Sequence, residues 1–263
     1  MRYGAMNFPV NPVLEEIALF AAMGFDYLEL ALDPPQAHYS QIQQLAKDIR
    51  RALDDNGMGL VCHLPTFVFT ADLTASIRQA SLDEMLFSLE TAKQLDAEKV
   101  VLHPSMTSGL GAFVAETVHQ YAAASLHVII NEASRLGLTL CLENMFPRYG
   151  SYFRPDDFTK VLNAQPDLRI TLDVGHANIQ SPKGKRIFDF ISTLGKRIGH
   201  VHFSDNLGLR DDHLPLGKGT IPHAKVVQAL RGCGYDDTLT LEVFGEDRNL
   251  LARSLTKIKA LFS

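Results

Sequence analysis

Residues 99–103, KVVLH, and residues 139–143, TLCLE, flank a stretch from 113 to 136 that reads FVAETVHQYAAASLHVIINEASRL. Both short runs are apolar almost to their ends and lack the in-out alternation of a strand with one wet face. Strands covered on both faces read this way. The stretch between them has helical length, and Gly137 stands where a helix commonly turns through a left-handed residue before the next strand. Strand, helix and strand in this order make one βα unit of a parallel sheet.

The same alternation runs outward in both directions. Strands are expected at 2–6, 27–32, 59–63, 99–103, 139–143, 169–173, 199–203 and 238–244. Helices are expected at 13–23, 41–55, 74–95, 113–136, 155–162, 187–194, 224–231 and 247–261. Thr74 is a candidate cap for the third helix, whose Ile77, Met85, Leu86 and Leu89 are apolar. Gly24, Gly57 and Gly234 occupy helix–strand junctions like that of Gly137. Eight strands and eight helices fit a single (β/α)8 TIM barrel of the α/β class, one domain over residues 1–263. A doubly wound open sheet shares the local pattern.

Composition narrows the functional classes. The length of 263 residues suits a barrel domain of about 200–250 residues. A net charge of −5 provides no overall basic field for nucleic acid or anionic lipid. Cys62, Cys141 and Cys233 are too few and too scattered for a disulfide framework. No apolar run reaches the roughly 18 residues of a membrane span, and the opening MRYGAMNFPV lacks the apolar stretch of a signal peptide. The expectation is a soluble, cytoplasmic chain. Its outlying feature is ten histidines.

In a (β/α)8 barrel the chemistry collects at the C-terminal ends of the strands. Here the expected strands end in His63, His103, Glu143 and Asp173, with His176 three residues further on. The seventh strand carries His202 and the eighth Glu242, and the loop after the seventh adds Asp211 and His213. Imidazole nitrogen and carboxylate oxygen suit zinc, manganese and related divalent ions. Any one of these histidines alone reads as a hydrogen-bonded structural residue, and either glutamate alone as half of a salt bridge. Six successive strand ends of this kind would surround one cavity, and that many buried polar groups without a cation would be costly. The set therefore reads as a metal site. His38, His119, His127, His200 and His223 read as surface or packing residues, with His200 expected to point away from the side occupied by His202.

LENM, LDVGHA, HVHFSDN, DDHLPLGKGTI and LEVF occur in this order along the chain. In these pieces the sequence resembles the xylose-isomerase-like barrel superfamily, which includes sugar isomerases, epimerases and endonuclease IV. The likeness runs from the first strand to the last. Two patterns within the superfamily diverge. The ketose 3-epimerase pattern implies one divalent ion on Glu143, Asp173, His202 and Glu242. The endonuclease IV pattern implies three zinc ions and adds His63, His103, His176, Asp211 and His213. All nine residue types are present, so the resemblance implies one to three ions of Zn2+ or Mn2+.

A role on DNA is disfavoured. Arg148, Arg154, Lys183, Lys185, Arg210 and Lys218 share the expected mouth loops with Asp33, Asp72, Asp156, Asp157, Asp205 and Asp212, a mixed rim for a duplex whose affinity rests on several phosphate contacts. Phe67, Phe69, Tyr149, Tyr152 and Phe153 suit a pocket wall or core at least as well as base stacking. The leading expectation is a metal-dependent isomerase or epimerase of a small sugar or sugar phosphate. By resemblance, Glu143 and Glu242 exchange the proton, while His176 and Arg210 orient hydroxyl or phosphate groups. The alternatives are a multi-zinc phosphodiesterase like endonuclease IV and a metal-binding protein without turnover, the latter disfavoured by an intact carboxylate pair. Homo-oligomerisation fits the resemblance. The sugar and its phosphorylation are left open by the sequence.

Overall fold

Eight strands pair in parallel in chain order, and the eighth pairs with the first to close a barrel, which excludes the open sheet. They are β1 (Arg2–Met6), β2 (Tyr27–Ala31), β3 (Gly59–His63), β4 (Lys99–Leu102), β5 (Thr139–Glu143), β6 (Arg169–Asp173), β7 (Ile198–Phe203) and β8 (Thr238–Leu241). The helices around them are α1 (Val13–Met23), α2 (Tyr39–Asp55), α3 (Ala75–Gln94), α4 (Ala115–Leu136), α5 (Thr159–Ala164), α6 (Val174–Asn178), α7 (Lys185–Leu194), α8 (His223–Gly232) and α9 (Asn249–Phe262). This computed structural model describes residues 1–107, 109–245 and 247–263. Among the described residues no helix is long and apolar enough to cross a membrane.

Each strand divides its side chains between two faces, and here the faces differ in chemistry. Leu28, Leu30, Val100, Leu102, Leu140, Leu142, Ile170, Leu172, Val201, Phe203, Leu239 and Leu241 point outward and join the helices in the main core. Burying each such side chain contributes about 1.5–3 kcal/mol. The inward face holds a small separate apolar cluster, Tyr27, Val61 and Val101. Much of the rest of the barrel axis is polar. At its N-terminal end Lys99 Nζ donates to Gly199 O at 2.8 Å, Asp237 Oδ2 at 2.9 Å and Thr238 Oγ1 at 3.0 Å. Those partners satisfy a buried amine that would otherwise be strongly disfavoured.

One irregularity aligns the mouth. Ile170 pairs with Ile198 but Thr171 pairs with His200, so the register slips by one residue at Gly199. A Cβ on Gly199 would meet Arg169 Cβ at 2.7 Å, so this close approach needs glycine. The slip sets Asp173 opposite His202 instead of Val201.

Several local expectations shift. The four junction glycines all have positive φ, and Gly24 and Gly137 cap α1 and α4. Thr74 precedes α3, but its side chain makes no capping bond; its own N–H goes to Asp72 Oδ1. β8 ends at Leu241, three residues early, because the chain turns to bring Phe244 onto Phe8 and His213. Helix α6 was not anticipated. It starts directly from β6, with the Asp173 carboxylate accepting the His176 N–H at 2.6 Å.

Candidate metal centre

Glu143 closes β5, Asp173 closes β6, His202 is the penultimate residue of β7 and Glu242 follows β8 directly. The four side chains converge and all are buried. His202 Nδ1 lies 3.3 Å from Glu143 Oε1, 3.2 Å from Glu242 Oε1 and 3.8 Å from Asp173 Oδ2. Atoms that bind one ion at about 2.0–2.3 Å sit roughly 3–4 Å apart, so the spacing suits a cation among them. On the other side of Glu143, Oε2 lies 3.1 Å from His103 Nε2 and 3.5 Å from His63 Nε2. Among the described residues neither Glu143 oxygen accepts an aligned hydrogen bond, and His202 Nδ1 and Asp211 Oδ1 are likewise without one. Buried polar atoms are rarely left so.

The hydrogen bonds on the far sides of the rings show which nitrogens are presented. His63 Nδ1 donates to Leu64 O at 2.7 Å, His176 Nδ1 to Asn144 O at 2.9 Å and His213 Nδ1 to Glu242 O at 3.2 Å. Their Nε2 atoms are thereby turned toward carboxylates: His63 toward Glu143, and His176 and His213 toward Asp211 Oδ2 at 3.1 and 2.9 Å. His202 is tied the other way, donating from Nε2 to Glu29 Oε1 at 3.0 Å. Histidines that bind metals are fixed in this manner, one nitrogen tied back and the other free to coordinate. The donor set thus fits one divalent ion at Glu143, Asp173, His202 and Glu242. The pair His63 and His103 beside Glu143 offers a second group of ligand type.

The electrostatics agree. Burial pushes Glu242 up to about 8, with Asp173 and Glu143 adding to it against His202 and His213. Burial also raises Asp173. For His202 burial works downward, yet Glu242, Glu29 and Glu143 together hold it well above the ordinary imidazole value. His213, likewise opposed by burial, is carried up to about 9 by Asp211. Carboxylates that keep protons and imidazoles that gain them mark a cluster short of positive charge.

All nine nominated ligand and proton-transfer residues lie in direct reach of another member of this cluster through Glu143, His202 or Asp211, and His213 also reaches Glu242 Oε2 at 3.7 Å. Arg210 is not brought in. Its side chain is 83 % exposed and its Nε donates to Asp212. The reason lies in Asp205, which is buried: its carboxylate accepts the N–H groups of Asn206, Gly217, Gly219 and Ile221 and clips the loop at its base. Asp205 is therefore internal, not a rim charge, and so is Asp33, which accepts the Thr66 N–H.

The expectation for His200 is overturned. Residues two apart on a strand share a face, and His200 is fully buried beside His202, their ring centres 5.0 Å apart. Sequence reading also missed Glu29 at the centre of β2 and gave Asn144 no role. The only available signal for Glu29 was a charge inside an otherwise apolar strand. Asn144 exchanges two hydrogen bonds with the Asp173 backbone and so locks the ends of β5 and β6 together.

Beside His103 lies a cavity of about 290 Å3 whose walls include Phe67, Phe69, Phe146 and Tyr149, with Arg148 at its edge. Phe146 packs on His176 at 5.2 Å and Tyr149 faces His103 at 6.3 Å. Tyr152 instead packs on Phe158, and Phe153 lies against Arg154 and Arg186.

An uncharacterized protein of Methanocaldococcus jannaschii, MJ1311, is 26% identical over 249 residues, covering 92% of this chain and 83% of the relative. The fold matches the crystal structure of a D-tagatose 3-epimerase-like protein with a TM-score of 0.82 at 23% identity, over 100% of both chains. It also matches that of D-psicose 3-epimerase determined in the presence of D-fructose, with a TM-score of 0.80 at 20% identity, over 100% of this chain and 99% of the other. Residues 17–261 match the family model described as xylose isomerase-like TIM barrel, and the chain belongs to that family.

Proposed function

We propose that this protein is a divalent-metal-dependent epimerase or isomerase of a small sugar or sugar phosphate. The observation that carries the reading is the convergence of Glu143, Asp173 and Glu242 on the Nδ1 side of His202. The 3-epimerase structures that share the fold support it. Zn2+ or Mn2+ held by these four residues would supply a Lewis acid that polarises the substrate carbonyl.

The chain's own residues move the proton. Glu143 ends β5 and Glu242 follows β8, with β6 and β7 between them, so their carboxylates would reach a bound substrate from different sides. One removes the proton from the carbon beside the carbonyl, and the other returns a proton to the opposite face. Their environments already differ: burial raises Glu242, whereas His103 and His202 overcome burial at Glu143 and hold it well below the usual carboxylate range. A pair split in this way is suited to acid and base roles. His176, packed on Phe146 of the adjoining cavity, would orient a substrate hydroxyl, and Arg148 lines that cavity where Arg210 does not. The test is metal content per chain in protein purified without chelator, combined with a screen of ketoses, sugar phosphates and abasic-site DNA. One ion per chain with turnover of a ketose or its phosphate is expected. Three ions with cleavage of abasic-site DNA and no sugar turnover would replace this reading by the phosphodiesterase.

Metal affinity should rise with pH. Below about 8 the metal-free chain carries a proton on Glu242, and His202 holds one as well. Ligation must expel these protons, so each contributes about tenfold in affinity per pH unit until its own value is passed. Competition with a chelator between about pH 6 and 8 should show at least this slope for one proton. A flat profile would mean that Glu242 and His202 are not ligands.

A further inference from the structure

The barrel axis below the carboxylates contains a line of buried groups that the proton transfer does not use. Glu29 is fully buried on β2, and its two oxygens are taken by two imidazoles of β7. His202 Nε2 donates to Oε1 at 3.0 Å and His200 Nε2 to Oε2 at 2.9 Å. His200 Nδ1 meets Thr238 Oγ1 at 2.7 Å, and Lys99 Nζ donates to that same hydroxyl at 3.0 Å. Glu29, His200 and His202 form a compact cluster of ligand type. With both carboxylate oxygens already occupied by N–H donors, the cluster is satisfied without an ion.

The direction of the bonds is forced. An ionised carboxylate accepts only, so both histidines must present a proton at Nε2. Lys99 donates to the Thr238 hydroxyl, so that hydroxyl's own proton goes to His200 Nδ1. With its Nε2–H donated to Glu29 in a hydrogen bond, His202 has only Nδ1 to offer, and that atom faces Glu143, Asp173 and Glu242.

We propose that Glu29 and His200 are positioning residues for His202: Glu29 selects the tautomer whose Nδ1 meets the metal, and His200 holds Glu29 in place. The inference rests on the metal reading above. In Glu29→Gln the amide offers one acceptor to two N–H groups, and its own N–H2 confronts the other ring. One imidazole must then reverse its tautomer. Loss of such an outer partner typically weakens metal binding by about 10–100-fold.

The test is Zn2+ affinity, measured by chelator competition, for the unmutated chain and Glu29→Gln. A loss of about 10–100-fold is expected, and an affinity equal to that of the unmutated chain would overturn the inference while leaving the metal reading intact. Because His200 acts only through Glu29, the double variant with His200→Gln should bind no more weakly than Glu29→Gln alone. A further loss would overturn that part. A measurement on the unmutated protein covers the case in which the variants fail to fold. In Zn2+-loaded protein labelled with 15N-histidine, His202 should carry its proton on Nε2 and its metal on Nδ1; the reverse would overturn the inference. Failure of the unmutated chain to bind Zn2+ at all would overturn the metal reading and this inference with it.

Discussion

Glu143→Gln and Glu242→Gln proteins are expected to fold and to retain an oxygen ligand, while their turnover falls by about 10²–10⁴-fold, the usual contribution of general acid–base catalysis. That corresponds to roughly 2.7–5.5 kcal/mol of transition-state stabilisation. Glutamine matches glutamate in shape, which matters for Glu143 because it is completely buried and wedged among His63, His103, His176 and His202. The change removes the proton acceptor and leaves the packing. Metal content and melting temperature are measured alongside the rate. Turnover within a factor of two of the unmutated enzyme in either variant would remove that residue from the proton path.

Asp173→Ala should abolish metal retention. Asp173 points Oδ2 at His202 while its Oδ1 caps α6 through the His176 N–H. Alanine therefore removes a ligand and a cap together. Loss of the cap alone costs about 1 kcal/mol, a shift of roughly 2–4 °C in melting for a chain of this size. Asp173→Asn separates the two roles, because asparagine caps well but brings no charge. Melting in chelator should be close to that of the unmutated chain for Asn and lower for Ala, while metal is lost or much weakened in both. Unchanged metal content in Asp173→Ala would eliminate the proposed centre.

The barrel and most of the centre were legible because parallel strands buried on both faces leave short apolar runs whose polar endings stand out. His63, Glu143 and Asp173 are each the last residue of a strand, and each was readable from its own segment. What escaped depends on distant partners. Glu29 pairs with imidazoles 171 and 173 residues away, and nothing in YLELA announces them. The Gly199 slip that sets Asp173 opposite His202 is a property of two strands together. Arg210 was misplaced because its loop is shaped from its base by Asp205, whose four backbone bonds leave no periodic trace. His200 was recoverable from pleat geometry alone, since residues two apart share a face.

The most direct test of the central claim is turnover of a ketose or ketose phosphate in deuterium oxide. The account predicts deuterium at the carbon beside the carbonyl, placed there by the unmutated enzyme and absent with Glu143→Gln and Glu242→Gln. Label from 18O-water in a phosphate product, with no carbon-bound deuterium across a broad panel of sugars, would contradict it.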